Sequence, residues 1–216
     1  MAICLPHLKE GAHIAIYLHK NDLSADVTFA GDLAVDTEAM GLNNLRDRLC
    51  VLQISDGQGD EHLVQFEQGN YAAPNLKKLL TDPARVKLFH FARFDVAIIQ
   101  HYLGVTTAPI YCTKIASRLT RTFTERHGFK DLCRDLLSVE VSKQQQSSDW
   151  GADTLSPEQQ EYAASDVRHL HKLRDKLDAM LAREGRTELA AECFRFLPAR
   201  AKLDLAGWIE TDIFAH

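Results

Sequence analysis

A chain of 216 residues, 45% apolar and 25% charged, is long enough to bury a core as one domain, and its composition excludes disordered, collagen-like and disulfide-framework classes. Its 25 Lys and Arg against 30 Asp and Glu leave a formal charge of −5, which argues against a protein that coats long nucleic acid but not against a short nucleic-acid ligand. Cys4, Cys50, Cys112, Cys133 and Cys193 have no C-x-x-C spacing, and no stretch has the length of a membrane span or the layout of a signal peptide, so reduced thiols and a cytoplasmic location are expected.

Leu33-Ala-Val-Asp-Thr-Glu38 reads as the first strand, with Leu33, Val35 and Thr37 alternating against Ala34, Asp36 and Glu38. Asp36 and Glu38 then share a face, roughly 6–7 Å apart. Two like charges on a half-buried surface repel each other and lose hydration, so a hard divalent cation, or a pair of them, is the economical neighbour. Arg48 to Ser55 and Glu61 to Phe66, separated by Asp56-Gly57, extend this strand into a three-stranded meander. Asn75 to Leu80 has a helical pattern, and Val86 to Phe89 is a short buried strand that feeds a helix from about Arg93 to Tyr102. Asp95 opens that helix, where the dipole favours negative charge. From Thr113 onward the periodicity is mostly helical. Strands first and helices later make an α/β sheet with helices on its faces.

The helix that starts at Pro157 has the clearest local grammar. Ser156 is a good N-cap, Pro157 takes the first helical position, and Gln159 completes a capping box. Tyr162, Asp166, Leu170, Leu173 and Leu177 follow at spacings of three and four, a single stripe directed at the core. Asp166 thus occupies a place that packing would fill with leucine, and a buried carboxylate there needs a cation or several hydrogen bonds.

Asp36-Thr-Glu38, Phe91-Ala-Arg-Phe-Asp95-Val-Ala-Ile-Ile99 and Tyr162-Ala-Ala-Ser-Asp166-Val167 together resemble the DEDD superfamily of 3′-to-5′ exonucleases. Tyr162 lies four residues before the last acid, and Glu161 stands where the other subclass has histidine, so the resemblance is to the Tyr-containing branch typified by ribonuclease D. Ser142-Lys-Gln-Gln-Gln-Ser-Ser-Asp-Trp150 looks like a segment of ribonuclease D relatives, whereas Cys112-Thr113 departs from the Asp-Thr pair usual there. The likeness covers about residues 30 to 182, and what remains, 183–216, is a helix and tail. A single domain over 1–216 resembles the short members called nano-RNase C.

The resemblance implies a ribonuclease H-like mixed sheet with helices on both faces. It gathers Asp36, Glu38, Asp95 and Asp166 around two Mg²⁺ or Mn²⁺ ions for phosphodiester hydrolysis. Tyr162, one turn from Asp166, would orient the attacking water, since a phenol near its ordinary pKa of about 10 is a poor base. Lys143 for phosphate, Gln146 for sugar or base and Trp150 for stacking are the substrate candidates, with His90 and Arg93 as further phosphate candidates. The implied activity is 3′-to-5′ hydrolysis of short single-stranded oligoribonucleotides, dinucleotides in particular, to nucleoside 5′-monophosphates. Alternatives are a 3′-to-5′ DNA exonuclease and a non-enzymatic nucleic-acid-binding module on the same fold. Leu203, Leu205, Trp208, Ile209, Ile213 and Phe214 make a tail apolar enough to dock on its own domain or on a neighbour. The resemblance implies a homo-oligomer, an octamer.

Overall fold

The computed structural model describes residues 15–142 and 144–216, so Lys143 and Cys4 lie outside the described residues. Among the described residues, six strands form one mixed sheet: β1 (Ile16–Lys20), β2 (Leu33–Ala39), β3 (Leu49–Ser55), β4 (Glu61–Gln65), β5 (Lys87–Phe89) and β6 (Ile110–Cys112). Their order is β1-β4-β3-β2-β5-β6. The antiparallel meander expected from the sequence is β2-β3-β4. β5 and β6 continue the sheet in parallel beyond β2, and β1 pairs in parallel with β4.

β1 and β6 are absent from the sequence reading. β1 begins ahead of the expected start of the core at residue 30, and its burial pattern at the sheet edge has no clean alternation. β6 is three residues long, too short for any periodicity to register.

The helices are α1 (Pro74–Thr81), α2 (Ala92–Leu103), α3 (Thr113–Thr120), α4 (Phe129–Leu132, continued by a π-helical turn at Cys133–Leu137), α5 (Pro157–Arg168), α6 (Leu170–Arg183) and α7 (Thr187–Leu205). Two apolar clusters lie on the two sides of the sheet. The larger contains Val35, Leu52 and Ile54 with Leu76 and Leu80 of α1 and Val96 and Ile99 of α2. The smaller joins Val51 and Leu63 to Trp150, Leu155, Ala163 and Ala164, with Tyr162 against it. Helix α5 thereby crosses the face that carries Asp36 and Glu38, and small Ala163 and Ala164 allow a close approach.

The Ser156 capping box forms in both directions, Gln159 N–H to Ser156 Oγ at 3.2 Å and Ser156 N–H to Gln159 Oε1 at 2.9 Å. Gln159 Nε2 also donates to Ser148 Oγ and to the Asp149 carbonyl, which ties the loop before the helix to its cap. The single stripe expected from Tyr162 to Leu177 is corrected by a break at His169 (φ −109°, ψ −4°), a sparsely allowed conformation that separates α5 from α6. The core stripe of α5 is Gln159, Ala163, Ala164 and Val167, and Leu170, Leu173 and Leu177 bury from α6. Freed from that stripe, Tyr162 and Asp166 are half-buried on the flank of α5.

Helix α7 closes the domain against α2. Asp204, buried near its end, accepts from Arg93 Nε at 2.6 Å and Nη2 at 2.8 Å, and from Arg200 Nε at 3.0 Å. Arg93 also donates to the Ile209 carbonyl, and Arg200 to that of Trp208, so the tail starts at this clamp. Two guanidiniums sharing one buried carboxylate lose more from its removal than an exposed pair would. Asp204→Ala should therefore destabilise the fold by roughly 1–3 kcal/mol, reduced from the fully buried case by the partial exposure of Arg93. Thermal unfolding should read this as a drop in Tm of several degrees.

Candidate active site

Each of the four acids comes from a rigid element. The strand alternation that puts Asp36 and Glu38 on the α5 face puts Thr37 on the other, where its Oγ1 donates to Asp95 Oδ1 at 2.7 Å. Asp95 lies in the first turn of α2, whose N-cap Phe91 is held at φ 65°, ψ 43°. A left-handed aromatic residue stores strain, a feature that clusters at functional sites. β2 and β3 change register between Glu38 and Ala39, a bulge that bends the strand just beyond the acids. Asp166 approaches from α5 across the sheet.

Carboxylate oxygens of Asp36, Glu38 and Asp166 all lie within 4.8 Å of one another. Together with Asp95 they line one wall of a cavity of about 680 Å³. None of the four has an ion-pair partner among the described residues. Burial is the first cause of their common response, and for Asp36, Glu38 and Asp166 the charges of the others follow it. Asp36 is raised well above the carboxylate range by burial and then by Asp95, Asp166 and Glu38. Glu38 is raised well above its range by burial, then by Asp166 and Asp95. Burial pushes Asp95 up to about 7 against the Thr37 hydrogen bond, and burial with the Asp95 charge pushes Asp166 up to about 7. An all-oxygen donor set that resists ionisation without a counter-charge fits hard divalent cations and not soft ones.

Tyr162 lines the same cavity. Burial, then the charges of Asp166, Glu38 and Asp36, hold its phenol far above the ordinary value, so it keeps its proton and serves as a donor. Trp150 also reaches the cavity, but it is only 2% exposed and its ring lies 6.0 Å from that of Tyr162. The stacking surface expected of it is thus largely taken up by packing in the smaller apolar cluster, against which Tyr162 rests. Gln146 lines the cavity and is exposed.

His90 and Arg93 differ from the roles expected of them. Arg93 is committed to Asp204 and does not line the cavity, because its place on the first turn of α2 faces α7. His90 does line it, but burial and the nearby Lys114 push its imidazole down to about 3, so it is neutral near pH 7. Thr113 Oγ1 donates to the Phe89 carbonyl at 3.1 Å and must therefore accept from His90 Nδ1 at 2.9 Å. That leaves Nε2 as an acceptor, the wrong polarity for a phosphate.

Among the described residues, the cations that line the cavity are instead Lys114 and Lys130, and Lys114 Nζ sits 4.0 Å from the centre of the Phe91 ring. Met40, Leu42 and Phe91 expose apolar surface at the same cavity, Leu42 to 85%. Sequence reasoning missed Lys114, Lys130, Met40 and Leu42 as site residues. The cluster of Lys and Arg after Thr113 was the available signal for Lys114; an exposed Leu42 in a turn carries none.

The raised acids set a sign for pH. Their folded pKa values exceed the unfolded value of about 4, so ionisation occurs first in the unfolded chain. Metal-free stability attributable to them therefore falls as pH rises from about 4 to about 7 and stays low above that. In EDTA, Asp95→Asn should melt close to wild type at pH 5 and above it at pH 8. Equal Tm differences at the two pH values would contradict the raised acid.

Comparison with known proteins agrees with this geometry. Residues 16–182 match the family model described as 3′-5′ exonuclease. Ribonuclease D of Acidiphilium cryptum is 33% identical over 160 residues, which cover 74% of this chain and 40% of that protein. The matched region is thus well under half the length of such relatives. The structure of Brucella melitensis NrnC bound to pGG aligns with a TM-score of 0.91 at 54% identity, over 94% of this chain and 99% of that one. NrnC from the same organism with bound Mg²⁺ aligns with a TM-score of 0.90 at 53% identity, over 94% and 99%. With four acids converging from a strand and two helices in that fold, the chain belongs to the 3′-5′ exonuclease family, in its ribonuclease D-like branch.

Proposed function

We propose that this protein is a metal-dependent 3′-to-5′ exoribonuclease acting on short oligoribonucleotides, dinucleotides above all, and releasing nucleoside 5′-monophosphates. The observation that carries the reading is the cluster of uncompensated carboxyls at the wall of a cavity of limited volume. A space of about 680 Å³ is in the range of small-ligand pockets and suits a few nucleotides, not a long strand. The Brucella relative bound to pGG and its Mg²⁺ form support the same reading.

Asp36, Glu38, Asp95 and Asp166 would hold two divalent cations, Mg²⁺ or Mn²⁺. Bound there, the cations would supply Lewis-acid stabilisation of the scissile phosphate and activate the attacking water. Thr37 keeps the Asp95 carboxyl turned toward the site. Tyr162, protonated and one turn from Asp166, orients the water by donating to it. Lys114 and Lys130 would take a terminal phosphate. Met40, Leu42 and Phe91 offer apolar faces to the bases, and Gln146 an amide to sugar or base.

The arginines support a short substrate. Arg121 pairs with Asp135, Arg168 with Glu61 and Glu161, and Arg174 with Asp32, so these cations are committed within the fold and do not form a basic groove. A second copy of the chain is the occupant we assign to the C-terminal face. Leu189, Phe196, Trp208, Ile209, Ile213 and Phe214 are exposed there by 39–78%. Exposed apolar side chains of this kind on a helix and its tail, with Phe196 and Phe214 ring to ring at 6.1 Å, are suited to self-association in a closed ring such as an octamer.

The reading is tested by product analysis with Mg²⁺ or Mn²⁺ and labelled RNAs of two to about twenty nucleotides, at about 50 and 200 mM salt. kcat/KM for the dinucleotide should equal or exceed that for the twenty-mer, with a shallow salt slope, and Ala at Asp36, Glu38, Asp95 or Asp166 should abolish turnover in a folded protein. Preference for the long strand with a steep slope would favour a general exonuclease, and faster cutting of the matched DNA dinucleotide would favour the DNA enzyme.

Tyr162→Phe keeps the ring and deletes only the donor. It should lower kcat by roughly ten- to a thousand-fold with little change in substrate affinity. Loss of affinity with kcat preserved would make Tyr162 a binding residue.

A further inference from the structure

Gln53 on β3 stands directly opposite Asp36 on β2, and on its other side opposite Leu63 on β4. Opposed residues of an antiparallel pair share a face, with Cβ atoms about 4.5–5.5 Å apart. Gln53 therefore belongs to the face that carries Asp36 and Glu38, under α5. It is fully buried, at 0% exposure. Neither its Nε2 nor its Oε1 has a hydrogen-bond partner among the described residues.

The neighbouring buried glutamines are not in this position. Gln65 Nε2 donates to the Ala152 carbonyl and its Oε1 accepts from Lys20, while Gln159 completes the α5 cap. A leucine would fill the place of Gln53 among Val51, Leu63 and Ala163 without leaving a donor and an acceptor unpaired. Gln53 does not line the cavity, so it meets no substrate directly. The acid beside it in register has capacity to spare: an ionised carboxylate accepts about four hydrogen bonds, and a cation on the cavity side leaves some of them free.

We propose that Gln53 is a positioning residue for the cation site, its free Nε2 donating to the Asp36 carboxylate when an ion is held there and so fixing which oxygen faces the ion. This rests on the cation reading above. A free donor beside a ligand carboxylate is available to it once the ion draws its other oxygen to the cavity side, and removal of such a partner weakens metal binding without removing a ligand.

The test is Mn²⁺ titration calorimetry and thermal unfolding in EDTA on the full chain, for wild type, Gln53→Leu and Val51→Ala. Gln53→Leu should raise the Mn²⁺ Kd about tenfold while its metal-free Tm equals or exceeds that of wild type. Val51→Ala opens space on the same face opposite Glu38, and it should lower Tm with a Kd within about twofold of wild type. Should Gln53→Leu not fold, Gln53→Met carries the same measurement, and failure of both to fold would make Gln53 a structural residue and overturn the proposal. A Kd unchanged in the folded variant, with wild type binding Mn²⁺, overturns the role of Gln53 alone. Absence of Mn²⁺ binding by wild type would overturn the cation reading and this role together.

Discussion

Charge repulsion among four half-buried or buried carboxyls is the constraint around which this domain is organised. Among the described residues, Asp36, Glu38, Asp95 and Asp166 meet without a lysine or arginine between them, and each is held above its ordinary pKa by burial, to which the neighbouring charges add for Asp36, Glu38 and Asp166. A folded chain can hold such a cluster only if each carboxyl is fixed by an element with stability of its own. The central β2-β3 pairing supplies two of them, the Phe91-capped start of α2 the third, and the boxed helix α5 the fourth. The cluster is costly when empty and complementary to divalent cations when filled, a difference that binding free energy can offset.

Among the described residues, few cations surround that wall. His90 is neutral and turned to Thr113, Arg93 is spent on Asp204, and Lys114 rests over Phe91. Trp150 and the Gln159 cap hold Tyr162 and its loop from behind. The acids thus leave a place for positive charge at their wall, and among the described residues the substrate side offers two lysines and exposed apolar side chains. Such a division suits a ligand with one or two phosphates, whose affinity comes from the metal clamp and from base contacts, and not a polyanion that needs a row of cations.

The C-terminal helix has a different function in the fold. Asp204 joins α7 to α2 through Arg93, so the element that carries Asp95 is braced from the side opposite the cavity. Beyond that clamp, Trp208, Ile209, Ile213 and Phe214 are left in the open, where a single copy of the chain gives them little cover.

Much of this was determined by the sequence alone. The alternation of Leu33 to Glu38 defined a strand and placed two acids on one face, the Ser156-Pro157-Gln159 grammar located the start of α5, and the combined spacing of Asp36, Asp95, Tyr162 and Asp166 carried the family. These signals are local: a period of two, a cap, a short motif. Only the tertiary structure decided what depends on neighbours far along the chain. It made strands of Ile16–Lys20 and Ile110–Cys112 by pairing them to β4 and β5, it broke the long helix at His169, and it set Asp166 at a cavity and not in the core. It also turned Arg93 to Asp204, and it set Gln53 beside Asp36, 17 positions apart in the chain and adjacent across the sheet. The physical reason is that side-chain chemistry is written residue by residue, whereas a side chain's partners, and with them its charge state and its role, are chosen by packing.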